Sequence, residues 1–164
     1  MRIDTVRFGE IDIAEEKILT FEGGLAPFYS SNRFTIISSE ETEPFLWLQS
    51  LDEPDVALAV VNPFRLFPDY APVVNESDLD KIGDPADEDI LVLTVAVIPH
   101  KYENMTTNLV SPILINSQNN RARQSVMENT GYVVKQPIFQ EVQNLLYGLE
   151  TDSEGGGMDA GSNT

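Results

Sequence analysis

The chain has no cysteine and one histidine in its 164 residues. Without thiols there is no disulfide framework, no thiolate zinc site and no cysteine nucleophile, a composition compatible with a reducing cytoplasm. A single His100 leaves neither a His-rich metal site nor a Ser-His-Asp triad with partners to spare. Cations are scarce as well: 10 Lys and Arg stand against 27 Asp and Glu, a formal net charge of -17. Phosphate contacts need clustered Lys and Arg, so nucleic acid is not an expected partner, and an anionic membrane is repelled. Long apolar runs are missing too. The longest, Ile90–Ile98, is interrupted by Thr94 and falls far short of the ~20 residues of a membrane helix. The opening MRIDTVRFGEID lacks the apolar core of a secretion signal. These exclusions leave a soluble, cytoplasmic chain, expected to be a monomer.

What is present is mostly strand signal. Arg2–Phe8, Glu10–Ile13, Lys17–Phe21 and Phe34–Ser38 are short alternating or β-branched runs, punctuated by Gly9, Gly23-Gly24 and Pro27. Phe45–Leu51 and Val56–Asn62 flank a DEPD turn and read as a hairpin. Ile90–Ile98 is apolar on both faces, which suits a strand covered on both sides. Asn108–Val110 and Ile113–Asn116 are split by Pro112, and Arg123–Met127 closes the series. Short strands every 8–12 residues predict an all-β fold, a mainly antiparallel, barrel-like domain with one or two short helices. One helix is predicted at Asn75–Gly83, with an Asn cap and a terminal Gly. The other is predicted at 137–148, where Ile138, Val142, Leu145 and Leu146 recur at helical spacing and suit packing on the sheet. The domain is expected to span residues 1–149. Residues 150–164, Gly/Ser-rich and acidic, are predicted to be a disordered tail.

Candidate chemistry is thin. Asp52, Glu53 and Asp55 could in principle pair as general acid and base, but a hairpin turn favours Asp and Pro for backbone reasons and leaves carboxylates solvated. Asp84, Asp87 and Asp89 lack the spacing of a calcium loop. No catalytic residue, metal or cofactor is expected. Two features suit contact with another protein. Between Asn75 and Asp89 seven acids face one base, Lys81, which reads equally as a solvated face or as a landing patch for a basic partner. The prolines at 63, 68 and 72 predict an irregular segment carrying Phe64, Phe67 and Tyr70, suited to an interface hot spot or to packing over a barrel end.

In order along the chain, F-G-E-I (Phe8–Ile11), P-F-x-W-L-Q-S (Pro44–Ser50), D-x-P-D (Asp52–Asp55), N-P-F (Asn62–Phe64) and F-P-D-Y (Phe67–Tyr70) resemble the FliW flagellar assembly factors. V-x-V-I-P (Val95–Pro99), M-T-x-N-L-x-x-P-I-x-I-N (Met105–Asn116) and R-Q-x-V (Arg123–Val126) continue the resemblance to about Phe139. It departs at residues 21–28, where F-E-G-G-L-A-P-F replaces the family's G-I-x-G-F turn, and Gln140 onward looks like an extension. The resemblance implies a regulator that is not an enzyme, with two protein partners: flagellin, and CsrA, a small basic RNA-binding repressor of flagellin translation. Partner contacts are then expected from Phe45, Trp47, Gln49, Asp52, Phe64, Phe67, Asp69, Tyr70, Asn108 and Asn116, and from the acids Glu76, Asp78 and Asp80. The rival classes are a small acidic hydrolase working through the acids near Asp52 and an OB-like nucleotide- or RNA-binding barrel.

Overall fold

The computed structural model describes residues 1–128 and 130–148; the tail predicted at 150–164 lies outside the described residues. Seven strands close into a ring. They are β3 (Leu19–Phe21), β4 (Arg33–Ser38), β5 (Leu46–Ser50), β6 (Ala57–Val61), β7 (Ile90–Val97), β9 (Ile113–Asn116) and β10 (Arg121–Gln124). Neighbours run antiparallel except β10 and β3, which pair parallel through Arg121↔Thr20 and Ala122↔Phe21. An odd number of strands in a closed ring cannot alternate direction throughout, so one parallel seam is unavoidable. The first half of β7 pairs with β9, and its second half pairs on the same edge with β8 (Thr106–Thr107), which holds β11 (Gln136–Pro137). A separate hairpin, β1 (Arg2–Thr5) and β2 (Gly9–Asp12), stands outside the ring.

Alternation sorts side chains to two cores. Inside the ring lie Leu19, Phe21, Phe34, Leu48, Val60, Leu93 and Ile113, with the Phe21 and Phe34 rings meeting edge-to-face at 5.2 Å. Full burial of side chains this size contributes roughly 1.5–3 kcal/mol each. On the outer face of β5, β6 and β7, Phe45, Trp47, Ala59, Val61 and Ala96 pack against Leu66, Ile138 and Val142. The helix α3 (Phe139–Gln143), extended by a π turn over Asn144–Gly148, packs on the sheet through Ile138, Val142 and Leu145, but it starts two residues later than predicted because Pro137 is in β11, and Leu146 is exposed. From β7 only Ala96 joins this outer cluster, and Leu91 and Val97 near the strand's ends are exposed.

Three local expectations need correction. The segment after Asn62 is not wholly irregular: Pro63–Leu66 forms a helical turn, α1, because Asn62 caps it through the Phe64 N–H and Pro63 sits where no N–H is needed. Asn108–Val110 is not a strand, since the Asn108 side chain takes the Val110 and Ser111 amides that a ladder would use. Strand β10 begins at Arg121, two residues before the predicted start. In the altered turn at residues 21–28, positive φ is supplied by Gly23 and Gly24 rather than near Pro27. A Cβ on Gly24 would come within 2.6 Å of the Tyr29 backbone.

Candidate partner-binding site

The chain from Tyr70 to Gly83 forms a strap along β10 and the residues after it. Tyr70, 5% exposed, donates its hydroxyl to the Leu109 carbonyl at 2.8 Å and meets the Tyr132 ring edge-on at 4.9 Å. The Ala71 N–H is bound by the Tyr132 hydroxyl, and the Val73 N–H by the Met127 sulfur. The helix α2 (Glu76–Lys81) follows, capped by Asn75 through the Ser77 N–H. Asp78 turns inward, accepting from Arg123 Nε at 2.6 Å and from the Ser125 hydroxyl at 2.7 Å. Arg121 donates to the Lys81 carbonyl, and Asn116 and Asn119 both donate to the Ile82 carbonyl, closing the C-terminal end of α2.

This anchoring decides which acids face outward. Glu76, Asp80, Asp84, Asp87 and Glu88 are exposed, while Asp78 is spent on the strap. Burial pushes the Asp78 carboxyl up, but the hydrogen bonds from Arg123 and Ser125, with Lys81 nearby, outweigh it and hold it below its ordinary 3.8. The result is a shelf of carboxylates on a short, pinned helix and the turn after it. At the other end of the strap Phe64, 39% exposed, leans on Tyr70 at 5.7 Å, with Asp69 exposed beside it.

The remaining expected contact residues divide by burial. Phe45, Trp47, Gln49, Tyr70 and Asn116 are all 7% exposed or less, so their side chains serve the fold rather than an open surface. Phe67 is half-buried between the outer core and the Tyr70 cluster, and Asn108 is half-buried around its turn. The structure thus does not gather the P-F-x-W-L-Q-S aromatics and the acids onto one exposed face. It joins the acids to Phe64 and Asp69 through a strap whose docking residues, Arg123, Ser125, Met127 and Tyr132, sequence reasoning missed. Only Tyr132, an aromatic amid Thr, Gly and Val, offered a signal.

Asp52 has a structural task as well. Its carboxylate accepts from the Asn32 and Arg33 amides and from the Arg33 guanidinium at 2.8–3.1 Å, latching the β5–β6 turn to the start of β4. Burial raises its pKa, yet these bonds prevail and it sits below its ordinary value, the wrong direction for a proton donor near neutrality. Glu53 accepts from Ser30 and Ser31, so the turn is latched rather than freely solvated. Among the described residues no group of three or more His, Asp or Glu side chains converges as a metal site would require. Nor is any described helix long and apolar enough to cross a membrane.

Comparison with known proteins places these features. A family model described as FliW protein matches residues 2–138. The chain is 39% identical over 145 residues to the flagellar assembly factor FliW of Caldanaerobacter subterraneus subsp. tengcongensis, covering 88% of this chain and 97% of that protein. It is equally 39% identical over 147 residues to the flagellar assembly factor FliW of Lachnoclostridium phytofermentans, covering 88% and 94%. A crystal structure of the flagellar assembly factor FliW superposes with a TM-score of 0.79 at 28% identity, over 85% of this chain and 97% of that one.

Proposed function

The chain belongs to the FliW family of flagellar assembly factors, and from that membership we propose that it works by holding two protein partners in turn. One is flagellin. The other is CsrA, whose capture relieves the repression of flagellin translation. The observation that carries the CsrA half is the acid shelf: Glu76, Asp80, Asp84, Asp87 and Glu88 stand exposed on a helix and turn pinned to the barrel by Asp78, in a chain of net charge -17. A fixed array of like charges steers a basic partner during diffusional encounter and needs little ordering once it arrives.

The flagellin half draws on the exposed margin of the aromatic cluster, Phe64 and Asp69, and on the turn at Asn108. An ordinary interface takes ~800 Å² per partner. The strap runs from Tyr70, on which Phe64 leans, to the acids, so two such footprints overlap there. Flagellin and CsrA then weaken each other's binding, reciprocally by linkage. Flagellin occupies the domain until it is exported, and the freed domain captures CsrA.

Stopped-flow association with purified CsrA tests the first half. The association rate should fall about tenfold or more as salt rises from low to several hundred millimolar, and Glu76→Lys with Asp80→Lys and Asp87→Lys should reproduce the fall at low salt. Rates that are flat in salt, or unchanged in the triple variant, would remove the shelf from the site. Saturating flagellin should raise the apparent CsrA Kd; a stable ternary complex on a sizing column would defeat the exchange.

A further inference from the structure

We propose that the β1–β2 hairpin is a hinged cover over the outer face of β5, and that it opens while the barrel stays folded. The two strands pair only with each other, in a sheet separate from the ring. Three contacts hold the tip of the hairpin, and Thr5 and Ile13 are buried along it. The Val6 N–H donates to the Pro54 carbonyl at 3.0 Å. Phe8 meets Trp47 edge-on at 6.1 Å, and the Arg7 guanidinium lies 4.2 Å from the centre of the Trp47 ring. The hairpin leaves through the exposed Ala14–Glu15, which serves as the hinge; beyond it the Glu16 and Lys17 carbonyls are held by the Asn120 amide and the Thr35 hydroxyl.

Beneath the cover, and two residues along the same strand face from Trp47, lies Gln49. It is 0% exposed. Its Nε2 donates to the Ser50 carbonyl at 3.0 Å and to the Pro54 carbonyl at 3.3 Å, the oxygen that Val6 also binds. Its Oε1 finds no protein donor. Reversing the amide would set oxygen against two carbonyls, so the orphan is the acceptor. A buried acceptor without a protein donor is better satisfied in an arrangement that gives it one. It is relieved in any state where water or another N–H reaches the oxygen. Lifting the hairpin, whose Val6 shares the Pro54 carbonyl with this amide, opens that side of Gln49 while both strands flanking β5 stay paired. The opened state presents the Trp47 ring and an amide acceptor to solvent.

Trp47 is the only tryptophan, so the cover can be followed on the full chain by acrylamide quenching and, residue by residue, by amide exchange. In the wild type the Val6 amide should be about 100-fold less protected than the β5 and β6 ladder amides, with exchange insensitive to low urea. Gln49→Met removes the orphan oxygen at similar length, and should raise Val6 protection roughly tenfold relative to the ladder. Val6→Pro removes the donor to Pro54 and should raise Trp47 quenching about threefold while the ladder amides stay protected. If the proline variant does not fold, the first two measurements still decide. Val6 exchanging together with the ladder, with the same urea dependence, would show that the hairpin opens only with the whole domain. An unchanged ratio in the methionine variant would show that the orphan acceptor does not drive opening. Either result overturns the proposal.

Discussion

Replacing Tyr70 by Phe should cost stability without touching partner affinity, and the cost should depend on pH in one direction. The ring is buried against Leu109, Met127 and Tyr132, and its hydroxyl is the donor to the Leu109 carbonyl. The Phe variant keeps the ring and orphans that carbonyl, a loss of about 1–3 kcal/mol. At ~2–4 °C per kcal/mol for a chain this size, the Tm falls by several degrees. Burial, with Tyr132 beside it, pushes the Tyr70 hydroxyl up to about 12 from its ordinary 10.0. The folded state therefore holds its phenolic proton after the unfolded chain has begun to lose it. The contribution is complete below pH 10 and disappears as pH climbs from there toward 12. Its ceiling is about 2.7 kcal/mol, and partial solvent screening brings it nearer to 1–2. Urea unfolding of both chains between pH 8 and 12 isolates the effect, because other tyrosines and lysines cancel in the difference. The wild type should lose its advantage over Tyr70→Phe across pH 10–12. Parallel curves would refute the burial argument. Lost CsrA or flagellin affinity at unchanged stability would return Tyr70 to the interface.

Asp78→Asn should cost about 2 kcal/mol at neutral pH, since it breaks a partly buried pair with Arg123. Because the folded pKa of Asp78 is lowered, its contribution is present above the ordinary 3.8 and lost as pH falls through the folded value. The variant should thus show a shallower acid limb in unfolding, and an unaltered limb would exclude the Asp78–Arg123 pair as a support of the fold. Gly24→Ala should destabilise by ~3 kcal/mol or more, because its Cβ meets the Tyr29 backbone at φ +77. Gly23→Ala, with open space around it, should cost only ~1 kcal/mol. Equal melting shifts for the two alanine variants would remove the close approach as the cause.

Local patterns were legible where local chemistry decides the outcome. Alternation and the DEPD turn located the β5–β6 hairpin, Asn75 marked the start of α2, and the two-faced apolarity of Ile90–Ile98 indicated a covered strand. The N-P-F turn carried its own helix signal, an Asn cap before a proline, which the surrounding prolines obscured. What the sequence withheld was long-range. Nothing near Asp78 announces that Arg123 will claim it, and nothing in the spacing of Phe64, Phe67 and Tyr70 separates the exposed ring from the buried one. The candidate site was legible as composition, an acidic stretch and an aromatic stretch. Its geometry depends on a strap whose partners lie some forty to sixty residues away.

The parallel seam between β3 and β10 sets a condition on synthesis. β3 ends at Phe21 and its seam partner begins at Arg121, so a nascent chain carries one unpaired flank of β3 until most of the domain has left the ribosome. The β4–β5–β6 meander can form early from neighbouring segments, but the ring closes last, across its widest sequence gap. Until then the apolar lining of Phe21 and Phe34 lies open on a curled, incomplete sheet. A stalled or truncated product ending before β10 would carry that lining exposed, and quality control would meet it as an aggregation-prone fragment.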